Sequence, residues 1–165
     1  MKINNMNKNE QQFDGYSTHL SLLKSLLSKN IDSVFEFGTG LYSTKLFLEN
    51  CTRVIACEMQ SEDWYNKVND EFKDHDNVEV LYMLGPDKAI EYLSEINSRF
   101  DLIFVDGHGS NRWKAINEAS KFTDLIVAHD TETSSYNWHL VDLGDEWVRT
   151  DYKEFDPWTT TWEKQ

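Results

Sequence analysis

Proline is scarce in this chain: Pro86 and Pro157 are the only two among 165 residues. That excludes a proline-rich linker, and no internal repeat or low-complexity tract divides the sequence either. Cysteine is equally scarce. Cys51 and Cys57 flank the apolar segment VIA and have no second pair at metal-ligand spacing, so both read as buried free thiols rather than a disulfide framework or a zinc site. No apolar run approaches the roughly 20 residues that span a bilayer. Positive charge is the third shortage. Sixteen Lys and Arg stand against 29 Asp and Glu, a formal net charge of -13. Sequence-independent binding of nucleic acid needs cations to neutralise phosphates, and an anionic membrane surface asks for the same, so both are excluded as expected partners. A small ligand is compatible with the acidity, a cationic one most of all.

What remains is an ordinary globular composition, 39% hydrophobic and 13% aromatic, in a chain long enough for one domain with a sizeable core. The opening MKINNMNKNEQQ is polar and lacks an apolar signal core. Residues 1–12 are read as a flexible tail of a cytoplasmic protein and 13–165 as a single domain.

Apolar runs then alternate with helical periodicity. STHLSLLKSLLSKN sets Leu20, Leu23 and Leu27 on one face; IDSVFEF is a strand, YSTKLFLEN a short helix and RVIACE a second strand. SEDWYNKVNDEF spaces Trp64, Val68 and Phe72 by four, with Ser61 as N-cap. NVEVLYML is a third strand. PDKAIEYLSEI is a helix with Pro86 in its first turn, FDLIFVD a fourth strand, SNRWKAINEASKF a helix and DLIVAHD a fifth strand. Strands that are apolar throughout, between helices, predict a doubly wound, mostly parallel α/β sheet covered on both faces. DEWVRTDYKEF and PWTTTWEK read as two closing strands with no room for a helix between them. They should therefore pair antiparallel and bring the sheet to seven strands.

In such a sheet ligands bind beyond the carboxyl ends of the strands, where strand order reverses. The first strand-to-helix turn is FGTGLYS, in which Gly38 and Gly40 let the backbone approach a ligand. Glu58 ends the second strand, 22 residues after Glu36, where an acid can accept ribose hydroxyls. The fourth and fifth strands end in Asp106 and Asp130. A nicotinamide fingerprint wants a third glycine where this chain has Ser43, and pyrophosphate is repelled by carboxylates. S-adenosylmethionine carries a sulfonium and an ammonium, which carboxylates suit. Plainer readings stand beside these. Asp106 followed by Gly107 makes a turn unaided, and Ser43 could simply open its helix.

EFGTGLYST, ACE, FDLIFVDGH and LIVAHDT resemble, in order, the motifs of class I S-adenosylmethionine-dependent methyltransferases, here a small member with a minimal core. The resemblance spans about residues 16–130. It implies a Rossmann-like sheet whose last strand is antiparallel and lies inside the sheet, and a transferase acting on an oxygen or nitrogen of a small molecule. Glu36, Gly38, Gly40 and Ser43 would line the methionine end of the cofactor, with Asp106 close by. Glu58 would hold the ribose and Asp87 would sit near the adenine. Candidates for the base are His108, His129 and His19, since methyl transfer needs little beyond alignment and removal of a proton. Related oxygen-directed enzymes bind a divalent cation between the acids ending the fourth and fifth strands, which here would be Asp106 and Asp130. His129 stands where those enzymes carry an acid, so the metal-free site is preferred. The acceptor pocket would come from the N-terminal segment, from the 131–145 loop with Tyr136, Trp138 and His139, or from a second subunit of a homo-oligomer. The alternatives are a non-catalytic or cofactor-cleaving S-adenosylmethionine binder and, more remotely, a nicotinamide-dependent oxidoreductase.

Overall fold

The computed structural model describes residues 17–165. The expected tail, residues 1–12, and the start of the domain at 13 lie outside the described residues. One seven-stranded sheet organises the rest, in the order β3-β2-β1-β4-β5-β7-β6. Its strands are β1 (Ser33–Phe37), β2 (Arg53–Glu58), β3 (Val78–Tyr82), β4 (Leu102–Val105), β5 (Leu125–His129), β6 (Trp147–Tyr152) and β7 (Thr159–Lys164). The first five are parallel. β7 runs antiparallel between β5 and β6, so the final strand is inserted in the sheet, as expected.

The period-two alternation of the strands divides the core between two faces. Phe35, Phe37, Ile103, Val105 and Ile126 pack with helices α4 (Pro86–Ile96) and α5 (Arg112–Ala119). Val34, Val54, Leu102, Phe104 and Val127 pack with α1 (Leu20–Leu27) and α2 (Ser43–Asn50). α3 (Glu62–Phe72) joins that second face through Val68 and Phe72 against Leu48. Glu36 and His129 occupy the same alternation as Val34 and Val127. Two polar groups are thereby carried into the α1/α2 face at the carboxyl end of the sheet.

Helix ends follow their local chemistry. The Ser61 hydroxyl accepts from the Trp64 amide at 3.2 Å, and Glu62 and Asp63 complement the first turn of α3. Pro86 opens α4 behind Gly85, whose φ is +89°. α1 is shorter than the periodicity suggests: Ser17–His19 form a turn ahead of it and residues 28–30 a turn after it. β3 departs from the expectation of coverage on both faces. It is the sheet edge, only half-buried, and Glu79 is exposed. The opposite edge, β6, is also largely exposed. The expected DGHGS turn contains a short 3-10 turn, Gly109–Asn111, that leads directly into α5. No helix among the described residues is long and apolar enough to cross a membrane.

Candidate functional site

The sheet reverses its order between β1 and β4, and the loops leaving these two strands meet there. Gly38 has φ +95°, and a Cβ at this position would lie 2.8 Å from the Asp106 carbonyl and from the Gly107 nitrogen. Glycine is thus required both by conformation and by the close approach of two loops. Gly40 is less constrained. A Cβ there would meet the Ser43 hydroxyl at 3.2 Å and nothing closer.

Glu36 does not reach the ligand side of this turn. It is fully buried, and its two carboxyl oxygens meet the hydroxyls of Ser43 and Thr44, the latter at 2.6 Å. The Gly40 amide donates to Thr44 Oγ1 at 3.0 Å. A hydrogen-bonded chain therefore runs from the turn through α2 to β1. Burial, only partly offset by the two hydroxyls, pushes the Glu36 carboxyl up to about 8, so it carries its proton at neutral pH. The structure places Glu36 behind the turn as its tether, not on the cavity wall. Ser43 does both jobs, bonding Glu36 and lining the cavity.

Glu58 is held by its own loop. Oε1 accepts from the amides of Gln60 (2.7 Å) and Ser61 (3.0 Å), and Oε2 accepts from the Thr39 hydroxyl at 3.0 Å. A carboxylate has about four acceptor positions, so one stays open, and the mobile Thr39 hydroxyl can yield a second. Trp64 Nε1 donates to the Thr39 carbonyl at 2.9 Å, fixing the outer side of the turn. Between these parts lies a cavity of about 660 Å³, within the usual range for small-molecule sites. His19, Gly38, Gly40, Tyr42, Trp64 and Asp106 are on its wall. Asp87 is elsewhere. It is exposed in the first turn of α4 and accepts from Asn111 (3.1 Å) and Lys114 (3.3 Å).

At the ends of β4 and β5 the side chains converge on Arg112, a residue that sequence reasoning missed. Its guanidinium is buried and lies 3.1 Å from Asp106 and 3.1 Å from Asp130. It also donates to the carbonyls of Gly107 (2.9 Å) and His129 (2.6 Å) and stacks on Tyr136 at 4.7 Å. A cation in the first turn of a helix opposes the helix dipole, and that misplacement was the available signal that a partner lies close. Burial alone would push Asp106 up, but the His129 hydrogen bond and the Arg112 charge hold it below the usual carboxylate range. For Asp130 burial prevails over His129 and Arg112, and its carboxyl is raised. The residues present do not fit the divalent ion expected between these two acids. The Arg112 guanidinium already bridges them, where a hard ion would need oxygen donors at about 2.1 Å.

The three candidate histidines separate. His19 is buried, lines the cavity, and meets Phe104 at 5.1 Å and the edge of His129 at 4.6 Å between ring centroids. His129 is buried behind it, bonded to the Thr18 hydroxyl at 2.8 Å. His108 is exposed, bonds Ser110 at 2.9 Å and does not line this cavity. Of the 131–145 loop, Tyr136 covers Arg112, Trp138 packs beside Trp162 and His139 is exposed; none of the three lines the cavity.

No family model and no curated protein sequence matches the chain. Solved structures do. An O-methyltransferase from Bacillus cereus in complex with SAH aligns with a TM-score of 0.72 at 19% identity, covering 92% of this chain and 82% of that one. The O-methyltransferase TomG from Streptomyces achromogenes, in complex with SAM, aligns at 0.69 and 16% identity, covering 88% and 78%. An rRNA methylase from Streptococcus thermophilus aligns at 0.67 and 15% identity, covering 88% and 95%. At these identities the likeness shows a shared fold, the Rossmann-like methyltransferase fold that the sequence motifs imply.

Proposed function

We propose that this chain is an S-adenosylmethionine-dependent methyltransferase acting on an oxygen or nitrogen of a small molecule. The observation that carries the reading is the charge of the cavity at the switch point. Its wall includes Asp106 and the turn held by Glu58, and none of its described lining residues is Lys or Arg. A pyrophosphate would find no cationic partner there, whereas a sulfonium and an ammonium would find carboxylate. The fold shared with proteins crystallised with SAM or SAH supports the same choice.

When bound, the cofactor supplies an electrophilic methyl whose carbon–sulfur electron pair leaves with sulfur as the acceptor's lone pair takes the carbon. The chain's own residues bind and align. Gly38 and Gly40 bring the backbone close, Glu58 accepts from the ribose hydroxyls, and Asp106 attracts the ammonium. Tyr42 and Trp64 supply apolar wall. The acceptor's proton leaves at the wall formed by His19 and Asp106. His19 is the histidine on that wall, with His129 supporting it from behind. His108 and Asp87 lie outside this cavity.

Calorimetry with SAM, SAH and the nicotinamide nucleotides tests the reading. One SAH per chain and no heat from NADH is the expected result; the reverse would overturn it. Glu58→Ala should weaken SAH binding by roughly tenfold to a hundredfold, the loss of a charge-assisted contact. An analogue without ribose hydroxyls should not register the change.

A further inference from the structure

His129 is held in one tautomer by its neighbours. The Thr18 hydroxyl lies 3.2 Å from the Pro157 carbonyl, which can only accept, so the Thr18 proton is committed there. The same hydroxyl, 2.8 Å from His129 Nε2, must therefore accept from an Nε2–H. In the neutral ring Nδ1 is then a bare lone pair. That lone pair faces carboxylate oxygens of Asp106 and Asp130, each at 3.4 Å. Three electron-rich groups turned toward one another call for a cation between them. Arg112 contacts Asp106 through Oδ1, the oxygen that also faces His129, which leaves Oδ2 as a ligand. His19 completes the group. Ligand atoms of His19, Asp106 and His129 all lie within 4.8 Å of one another.

We propose that His19, Asp106 and His129 form a binding site for a divalent transition ion at the floor of the cavity, with Thr18 and Arg112 orienting the ligands. Two imidazoles and one carboxylate select zinc, cobalt or ferrous iron over magnesium, which wants oxygen alone. The site is distinct from the Asp106–Asp130 gap that Arg112 fills. Metal–ligand bonds near 2.1 Å put ligand atoms about 3–3.5 Å apart, so small side-chain rotations close the cluster. His19 and Asp106 line the cavity, so coordination positions left open can meet a bound molecule. The Nε2–H held by Thr18 is the outer-shell contact that fixes the orientation of a ligating histidine. The chemical use of the ion rests on the methyl-transfer reading, the site itself does not. An acceptor hydroxyl reaching the ion loses its proton more readily, and His19 then serves as a ligand in place of a free base.

The test uses the full chain, stripped with chelator and titrated with Zn²⁺, Co²⁺ and Mg²⁺ by calorimetry, with Co²⁺ also followed by its visible absorption. One Zn²⁺ or Co²⁺ should bind per chain, unaffected by excess Mg²⁺. His19→Ala and His129→Ala should each lose that phase. Thr18→Val should weaken it roughly tenfold to a hundredfold. His75→Ala, at an exposed histidine, should leave it unchanged. If an alanine variant fails to unfold cooperatively, X-ray absorption of the zinc-loaded wild type takes its place, and two imidazoles in the shell are expected. No stoichiometric uptake, an all-oxygen shell, or uptake that survives loss of both histidines would overturn the site. SAH titration of the same stripped protein separates the two ideas: SAH bound without metal uptake removes the metal site alone, and metal uptake without SAH binding removes the methyltransferase reading alone.

Discussion

Glu36 and Glu58 end neighbouring strands, and the difference between their surroundings has a measurable consequence. Glu58 accepts two backbone amides of its own loop. Glu36 has only two hydroxyls against full burial, which pushes its carboxyl up to about 8 from the ordinary 4.5. The folded state thus binds a proton that the unfolded chain has released. This proton favours folding fully below about pH 4.5, and the benefit is lost as pH rises through the window to about 8, by roughly 1.4 kcal/mol per pH unit. Glu36→Gln keeps the shape without the titration. Its melting temperature should gain on the wild type steadily across that window, and parallel curves for the two proteins would show that Glu36 does not titrate there. The two glycines part in the same manner. Gly38→Ala places a Cβ against backbone at 2.8 Å with φ +95°, and should cost on the order of 2 kcal/mol or more in thermal or denaturant unfolding. Gly40→Val should stay folded and lose SAH affinity, because a side chain there projects from the cavity wall. Equal stability losses in both variants would assign Gly40 to the fold instead of the ligand.

Among the elements, Arg112 at the start of α5 ties together the carboxyl ends of β4 and β5. Its guanidinium reaches two carboxylates and two well-placed carbonyls. Removing one member of a buried ion network leaves the others uncompensated. Arg112→Ala should therefore lower stability by about 3 kcal/mol, somewhat less if water enters beside the partly exposed carboxylates. Arg112→Lys should recover only part, since a single ammonium cannot span both acids. Chemical denaturation of the three proteins checks the order, and a lysine variant as stable as wild type would reduce Arg112 to a point charge. The same elements show what could be read from the sequence. RVIACE and PDKAIEYLSEI match β2 and α4 to the residue, because burial and a proline start mark their limits. NVEVLYML is apolar enough to resemble a central strand, but β3 is an edge, and pairing order is not a property of one strand's composition. The glycine turn and the acids at strand ends were legible, being set by topology. What each acid touches was not. Glu36 meets α2, Asp87 meets Asn111 and Lys114, and Asp106 shares Arg112, contacts fixed by residues distant in sequence.

For the whole molecule the question is which class of acceptor a -13 chain can serve. The fold does not decide it, since proteins described as an O-methyltransferase and as an rRNA methylase align almost equally well. Charge does. A polyanion approaching the protein meets the field of 29 acids against 16 bases, and the cavity wall offers no described Lys or Arg to receive a phosphate. Binding RNA would release no useful number of counterions and would carry a repulsion that grows as salt is lowered. A neutral or cationic small acceptor faces no such barrier and is drawn toward Asp106. A labelled structured RNA should therefore show no change in fluorescence anisotropy at about 0.1 M salt, a Debye length of roughly 10 Å, and none on lowering the salt further, while the same sample still binds SAH. Saturable RNA binding that strengthens at low salt would require a basic surface outside the described residues, and would move the acceptor from a small molecule to a nucleic acid.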